Sequence, residues 1–192
     1  LDLVISKPEN VVASATSTST IVLTWEEVEN AFSYNVYQGE EMIANVTANT
    51  FVAESLNHYT EYCYAVSAVR NVQETEKVEA CARTLDLVIA APENVVAEAT
   101  STSEIVLTWN EVEHAMSYNV YNDTVFVANV TTNTFTVEGL EVYTDYCFRV
   151  EALRNAQSFV SETACAKTLD LVISAPENVV AEATSTSEIV LT

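Results

Sequence analysis

The 192 residues include 28 acidic against 7 basic side chains, a net charge of −21, which excludes the Lys/Arg patches that binding to nucleic acid or anionic lipid requires. Hydrophobic residues make up 49%, enough for real cores, yet no apolar run approaches the ~18–20 residues that cross a bilayer. With neither an initiator Met nor a basic-then-apolar leader, the chain reads as a mature or excised segment.

Leu1 opens "LDLVISKPENVVA". Nearly the same words return at Leu85 as "LDLVIAAPENVVA" and at Leu169 as "LDLVISAPENVVA". The period of 84 holds throughout, without insertion or deletion: Trp25/Trp109, Tyr34/Tyr118, Tyr37/Tyr121, Phe51/Phe135, Cys63/Cys147 and Cys81/Cys165. The organisation follows. Residues 1–6 are a connector from a preceding repeat, 7–84 the first repeat and 85–90 an apolar connector. Residues 91–168 are the second repeat, 169–174 another connector, and 175–192 the first two strands of a third. An isolated hairpin is marginal, so 175–192 is expected to be a window cut from a longer array, or else completed by another subunit.

Within a repeat the dominant period is two. "IVLTW" sets Ile105, Leu107 and Trp109 on one face, and "SYNVY" alternates Tyr118 and Val120 with Asn119 and Tyr121. "FVANVT" and "TFTVEGL" continue the pattern, rich in the β-branched and aromatic residues that strands prefer. Short runs recur every ~8–12 residues between Asn-, Ser-, Thr- and Glu-rich breaks, and nothing keeps a helical period. The fold class is all-β, about seven strands per repeat in a sandwich.

In "DYCFRVEAL", Tyr146, Phe148, Val150 and Ala152 share one face with the core. Arg149 and Glu151 resist burial, so Cys147 beside them lies on the outer face, as does Cys165 in "TACAK". Four cysteines allow three connectivities. Two per repeat at identical offsets favour Cys63–Cys81 and Cys147–Cys165, whereas a zinc site would need CxxC-type pairs, which are missing. Disulfides imply an oxidising, extracellular setting.

Other candidates are weaker. His58 and His114 occupy unrelated offsets, and the carboxylate clusters Glu26, Glu27, Glu29 and Glu74, Glu76, Glu79 lack the partners that catalysis needs. No DxDxDG-like calcium loop occurs, and no cofactor is expected. "NVT" at Asn45 and Asn129 and "NDT" at Asn122 are candidate N-glycosylation acceptors, with Asn129 pointing outward because Val130 points in. The apolar connectors either extend the last strand and seal the joint or pair with a neighbouring chain.

The combination of an opening Pro92, "IVLTW" with its Trp109, "YNVY" and "LEVYTDY" resembles a fibronectin type III domain, of the kind found in tandem on microbial surface and secreted proteins. The resemblance covers both full repeats and the fragment. It implies a sandwich of strands A-B-E against C-C′-F-G, buried Trp25 and Trp109, and tyrosine corners at Leu56/Tyr62 and Leu140/Tyr146, the phenol bonding back to the backbone. It brings no active site, and the loops "RNVQETE" and "RNAQSFVS" carry no Arg-Gly-Asp. With only Gly39 and Gly139 available, Asn and Asp must make the tight turns. The function expected is a non-catalytic extracellular stalk or filament on a cell surface. Its partners would be further copies in cis and like chains in trans. The alternatives are a module binding glycan or protein, for which Phe159 is a pointer, and a spacer in a larger secreted enzyme.

Overall fold

The structure is a computed structural model describing residues 3–175 and 177–191. The chain divides into two compact units, Leu1–Val88 and Ile89–Thr192. In the first, β1 (Val12–Ala15), β2 (Ile21–Thr24) and β5 (Thr50–Ala53) form a three-stranded antiparallel sheet. A second sheet contains β3 (Ser33–Gln38), β4 (Glu41–Val46), β6 (Glu61–Arg70), β7 (Gln73–Glu74) and β8 (Val78–Arg83), with β6 pairing β3 on one side and both β7 and β8 on the other.

The second unit repeats this plan. Its three-stranded sheet is β9 (Val96–Ala99), β10 (Ile105–Thr108) and β13 (Thr134–Val137). The other sheet is β11 (Ser117–Asn122), β12 (Val125–Val130), β14 (Asp145–Arg154), β15 (Gln157–Val160) and β16 (Ala164–Lys167). A hairpin of β17 (Ala181–Ser185) and β18 (Glu188–Leu191) follows. The architecture is all-β, and the alternation of side chains made it legible: Ile21, Leu23, Trp25, Tyr34, Val36, Tyr64 and Val66 line one core, and Ile105, Leu107, Trp109, Tyr118, Val120, Phe148 and Val150 the other. Trp25 meets Tyr34 edge-on at 5.2 Å, and the Tyr34 hydroxyl accepts the Val28 amide at 2.8 Å. Trp109, Tyr118 and Val112 repeat both contacts.

The structure differs from a seven-strand unit in one respect: the last strand is broken into β7/β8 and β15/β16. A hydroxyl replaces a ladder carbonyl at each break. The Thr75 hydroxyl accepts the Ala68 amide at 2.9 Å, and the Ser161 hydroxyl accepts the Val150 amide at 3.0 Å. These residues do not occupy equivalent offsets, so the two breaks are built differently.

Asn and Asp supply most of the left-handed backbone. Asn10, Asn30, Asn71, Asn94, Asp123, Asn155 and Asn178 all have positive φ. Each glycine has a non-glycine counterpart 84 residues away with the same sign of φ: Gly39 (61°) matches Asp123 (51°), and Gly139 (73°) matches Ser55 (59°). His114 (66°) stands where Asn30 (65°) stands, and its carbonyl accepts the Arg154 guanidinium at 2.8 Å. His114 is a turn residue.

The connectors assigned to 1–6 and 85–90 are partly core. Ile5 is 8% exposed and Ile89 4%, each packed in the cluster of the sandwich that follows it in sequence. Ile173, at the same offset, is 92% exposed.

Candidate functional site

Three constructions recur in both units, and each begins on strand β6 or β14. The first is the disulfide. Cys63 faces Cys81 directly across β6 and β8, and Cys147 faces Cys165 across β14 and β16; both pairs are bonded with 4.1 Å between Cα atoms. Cys81 and Cys165 are exposed and Cys63 and Cys147 half-buried, as a bridge on the outer face requires.

The second is the latch at the end of the last strand. The Tyr62 hydroxyl accepts the Asn57 amide at 3.0 Å, and the Tyr146 hydroxyl accepts the Glu141 amide at 2.9 Å. This fixes the turn before β6 and β14. Thr84, almost wholly buried, donates its hydroxyl to the Asn57 carbonyl at 2.7 Å and accepts the Thr60 amide at 3.0 Å. Tyr59 holds a left-handed φ of 50°, and its amide donates to the Leu85 carbonyl at 3.2 Å. The Leu85 amide donates to the Ser17 carbonyl at 3.0 Å. Thr168, Tyr143 (φ 51°), Leu169 and Ser101 reproduce the arrangement. A bulky residue at positive φ is strained, and here the strained turn aims an amide at the outgoing chain. Sequence reasoning found the tyrosine but missed the threonine, although "T-L-D-L" recurs at both sites.

The third is a polar ladder on the outer face of the second sheet. The Asn45 amide donates to Asn35 Oδ1 (2.7 Å) and Ser33 Oγ (3.0 Å). Asn35 Nδ2 donates to Glu74 Oε1 at 3.0 Å, and Tyr37 and Ser67 donate their hydroxyls to the same oxygen. In the second unit Asn129, Ser117, Asn119 and Tyr121 are equivalent, but the carboxylate is Glu151. Glu151 occupies the offset of Ser67, and Ser158 that of Glu74. Serine and glutamate have changed places across the hairpin, so that one carboxylate still receives the Asn and Tyr donors. That reciprocal exchange was visible in the aligned repeats, but only the fold shows that the two offsets meet.

Hydrogen bonds from Ser67, Tyr37 and Asn35 hold the Glu74 carboxyl below its ordinary range. Burial pushes Glu151 up, but donors on Asn119, Tyr121 and Ser158 outweigh it and the net direction is again down. The Tyr37 and Tyr121 phenols are raised, first by donating to these carboxylates. A carboxyl more acidic in the folded than in the unfolded chain contributes stability above its unfolded pKa, lost as pH falls through the folded value. The phenols contribute stability below their ordinary value of 10.0, lost as pH rises through the raised one. Glu74→Ser should therefore destabilise the first unit by about 1 kcal/mol at neutral pH and flatten its acid limb. Adding Ser67→Glu should restore both, because it rebuilds the second unit's arrangement. Urea unfolding followed by hydrogen exchange, resolved by unit, checks this.

The fibronectin type III domain family matches residues 90–164. The chain carries tandem fibronectin type III domains. Chitinase A1 of Niallia circulans is 28% identical over 161 residues, covering 77% of this chain and 23% of that protein. Neogenin of Rattus norvegicus is 30% identical over 169 residues, covering 75% of this chain and 12% of that protein. The chain thus spans less than a quarter of either relative. Among solved structures, a two-domain fibronectin type III segment of chicken tenascin aligns over 84% of this chain and 98% of its own, with 16% identity and a TM-score of 0.47. The FN1–FN3 domains of chicken CNTN1 align over 86% and 65%, with 21% identity and a TM-score of 0.45.

In these fibronectin type III domains Asn45 and Asn129 are exposed and Asn122 is half-buried. The ladder by itself accounts for an asparagine at 45 and 129, where Nδ2, the atom to which a glycan would be attached, already donates two hydrogen bonds. His58 is exposed, and its carbonyl accepts the Thr60 hydroxyl at 2.9 Å. Among the described residues, Cys63, Glu79 and Cys81 are the group of metal-ligand type whose donor atoms lie close together, and there both sulfurs are already bonded to each other. Among the described residues, no helix is long and apolar enough to cross a membrane.

Proposed function

We propose that the chain is a non-catalytic, secreted or cell-surface spacer whose successive fibronectin type III domains are joined stiffly, so that it holds its neighbours at a distance as a stalk or filament. The observation that carries this reading is the spacing of anchors. Leu85 is bonded through both its amide and its carbonyl within the first unit, and Ile89 is buried in the core of the second. Only Asp86, Leu87 and Val88 lie between, a reach of at most ~14 Å. The Asp86 carboxylate accepts the Leu87 amide at 2.8 Å, which restrains even these three. Flexible linkers are longer and rich in Gly, Ser or Pro. The outer-face disulfides support an oxidising, extracellular setting. The match to part of chitinase A1 supports a second version of the same role, a spacer within a larger secreted enzyme.

Pulsed electron-spin measurements on a chain labelled at Val72→Cys and Glu138→Cys should give one narrow distance distribution. Inserting Gly-Gly-Ser between Asp86 and Leu87 should broaden it severalfold without changing the stability of either unit. A distribution equally broad before and after insertion would refute the stiff joint.

A further inference from the structure

The two units share a core and a ladder but not an outer surface, and the difference sits around one tyrosine. A β-bulge at Val36/Tyr37 and another at Val120/Tyr121 present these rings on the outer face of the sheet. In the first unit the ring is covered by its own chain: Lys77 Nζ lies 3.9 Å from the Tyr37 ring centre and 3.3 Å from a Glu40 carboxylate oxygen. The residue equivalent to Lys77 is Ser161, turned inward to the Val150 amide. With no lysine to cover it, Tyr121 borders an open hollow of about 220 Å³, lined also by Thr124, Arg149, Glu151 and Val160. Phe126 stands edge-on to Tyr121 at 5.9 Å and is itself 55% exposed. The first unit has Ala65 at the offset of Arg149 and Glu76 at that of Val160.

We propose that this hollow on the second unit binds a neutral saccharide ring. An aromatic face with Val160 beside it offers the apolar platform that the C–H face of a sugar covers. Arg149 lines the hollow and is fixed by donating to the Asp123 carbonyl at 2.7 Å, a bond that uses one of the five N–H donors of its planar fork. Glu151, held ionised by its donors, and the Thr124 hydroxyl complete a set that both gives and accepts hydrogen bonds, which is what sugar hydroxyls need. The guanidinium beside the ring disfavours an ammonium, the group that covers the equivalent ring in the first unit. Glu151 and the surplus of negative charge disfavour an anion. The proposal is independent of the stiffness of the joint.

The test is titration of the isotope-labelled chain with a β-1,4-linked glucose trisaccharide and with its N-acetylglucosamine counterpart, read by amide shifts. A shallow one-ring site is expected to bind near 1 mM. Shifts should gather at Tyr121, Thr124, Arg149, Glu151 and Val160, with none at Tyr37, Ala65 or Ser67. Arg149→Ala copies the residue that the first unit already folds with, and should weaken binding about tenfold. No shifts with either sugar, shifts shared equally by both units, or an Arg149→Ala chain that binds sugar as well as before would overturn the proposal. So would tighter binding of tetramethylammonium than of either sugar, which would make the hollow a cation site.

Discussion

Ile89→Ala should destabilise the second unit by about 2–4 kcal/mol, although residue 89 lies in what reads as a connector. Ile89 is 4% exposed and packs with Ile105, Leu107 and Trp109 in one cluster. Removing three of its carbons forfeits their transfer free energy and leaves a cavity that the surrounding strands close only in part. Ile5→Ala should do the same to the first unit, where residue 5 is 8% exposed. Ile173→Ala supplies the control within the same chain. The residue is identical and so is the word around it, but with 92% of its surface exposed the change should fall within about 0.5 kcal/mol. Urea midpoints resolved by hydrogen exchange in each unit make the comparison. Equal effects at 89 and 173 would mean that the isoleucine acts through local chain propensity and not through burial, and the anchor invoked for a short joint would be lost.

The contrast shows where sequence reading reaches its limit. The alternation in "IVLTW" and "DYCFRVEAL" assigned the inward faces correctly, because a strand has only two faces and Arg149 and Glu151 cannot share the core cheaply. The same test is weaker in "LDLVI", where four of five residues are apolar and Asp86 is the single polar mark of a face. The structure takes Ile5 and Ile89 into the cores and leaves Val4 and Val88 outside at 87% and 78% exposure. The ladder was hidden for a different reason. Asn35, Tyr37 and Glu74 are each ordinary surface residues, and their meeting depends on which offset of the hairpin faces strand β3, a matter of register that residue type does not encode. The latch was half legible. The tyrosine of "LNHYTEY" belongs to a known pattern, whereas Thr84 looks like any strand-end threonine until its burial is seen. The exchange of Lys77 for Ser161 likewise gains meaning only when Lys77 is seen over the Tyr37 ring and Ser161 is seen bonded to the Val150 amide.

Replacing both cysteines of one pair should lower the stability of that unit by about 3 kcal/mol and leave the other unit unchanged. The bridges close loops with a sequence separation of 18 residues, and in the chain-entropy description a loop of this size restricts the unfolded ensemble by about that amount. Small sandwiches bury a modest fraction of their surface, so the loss is a large part of the total. Because Cys81 and Cys165 lie on the outer face, Cys63→Ala with Cys81→Ala opens no cavity in the core, and the effect should appear as faster unfolding-limited exchange, not as altered native packing. The position of the bridge adds a second consequence. Cys81 is three residues before Thr84, whose hydroxyl ties the end of β8 to the Asn57 and Thr60 turn, and four before Leu85, which the Tyr59 amide and Ser17 carbonyl hold. In the bridged chain, fraying of β8 cannot spread past Cys81 without breaking a covalent bond. In the double alanine chain it can, and the Tyr59 and Leu85 amides should then exchange at least tenfold faster than in the native protein while those of Val36 and Val66 slow or speed only with global stability. If Tyr59 and Leu85 instead follow global stability in both chains, the bridge secures the sandwich alone and has no part in holding the connector.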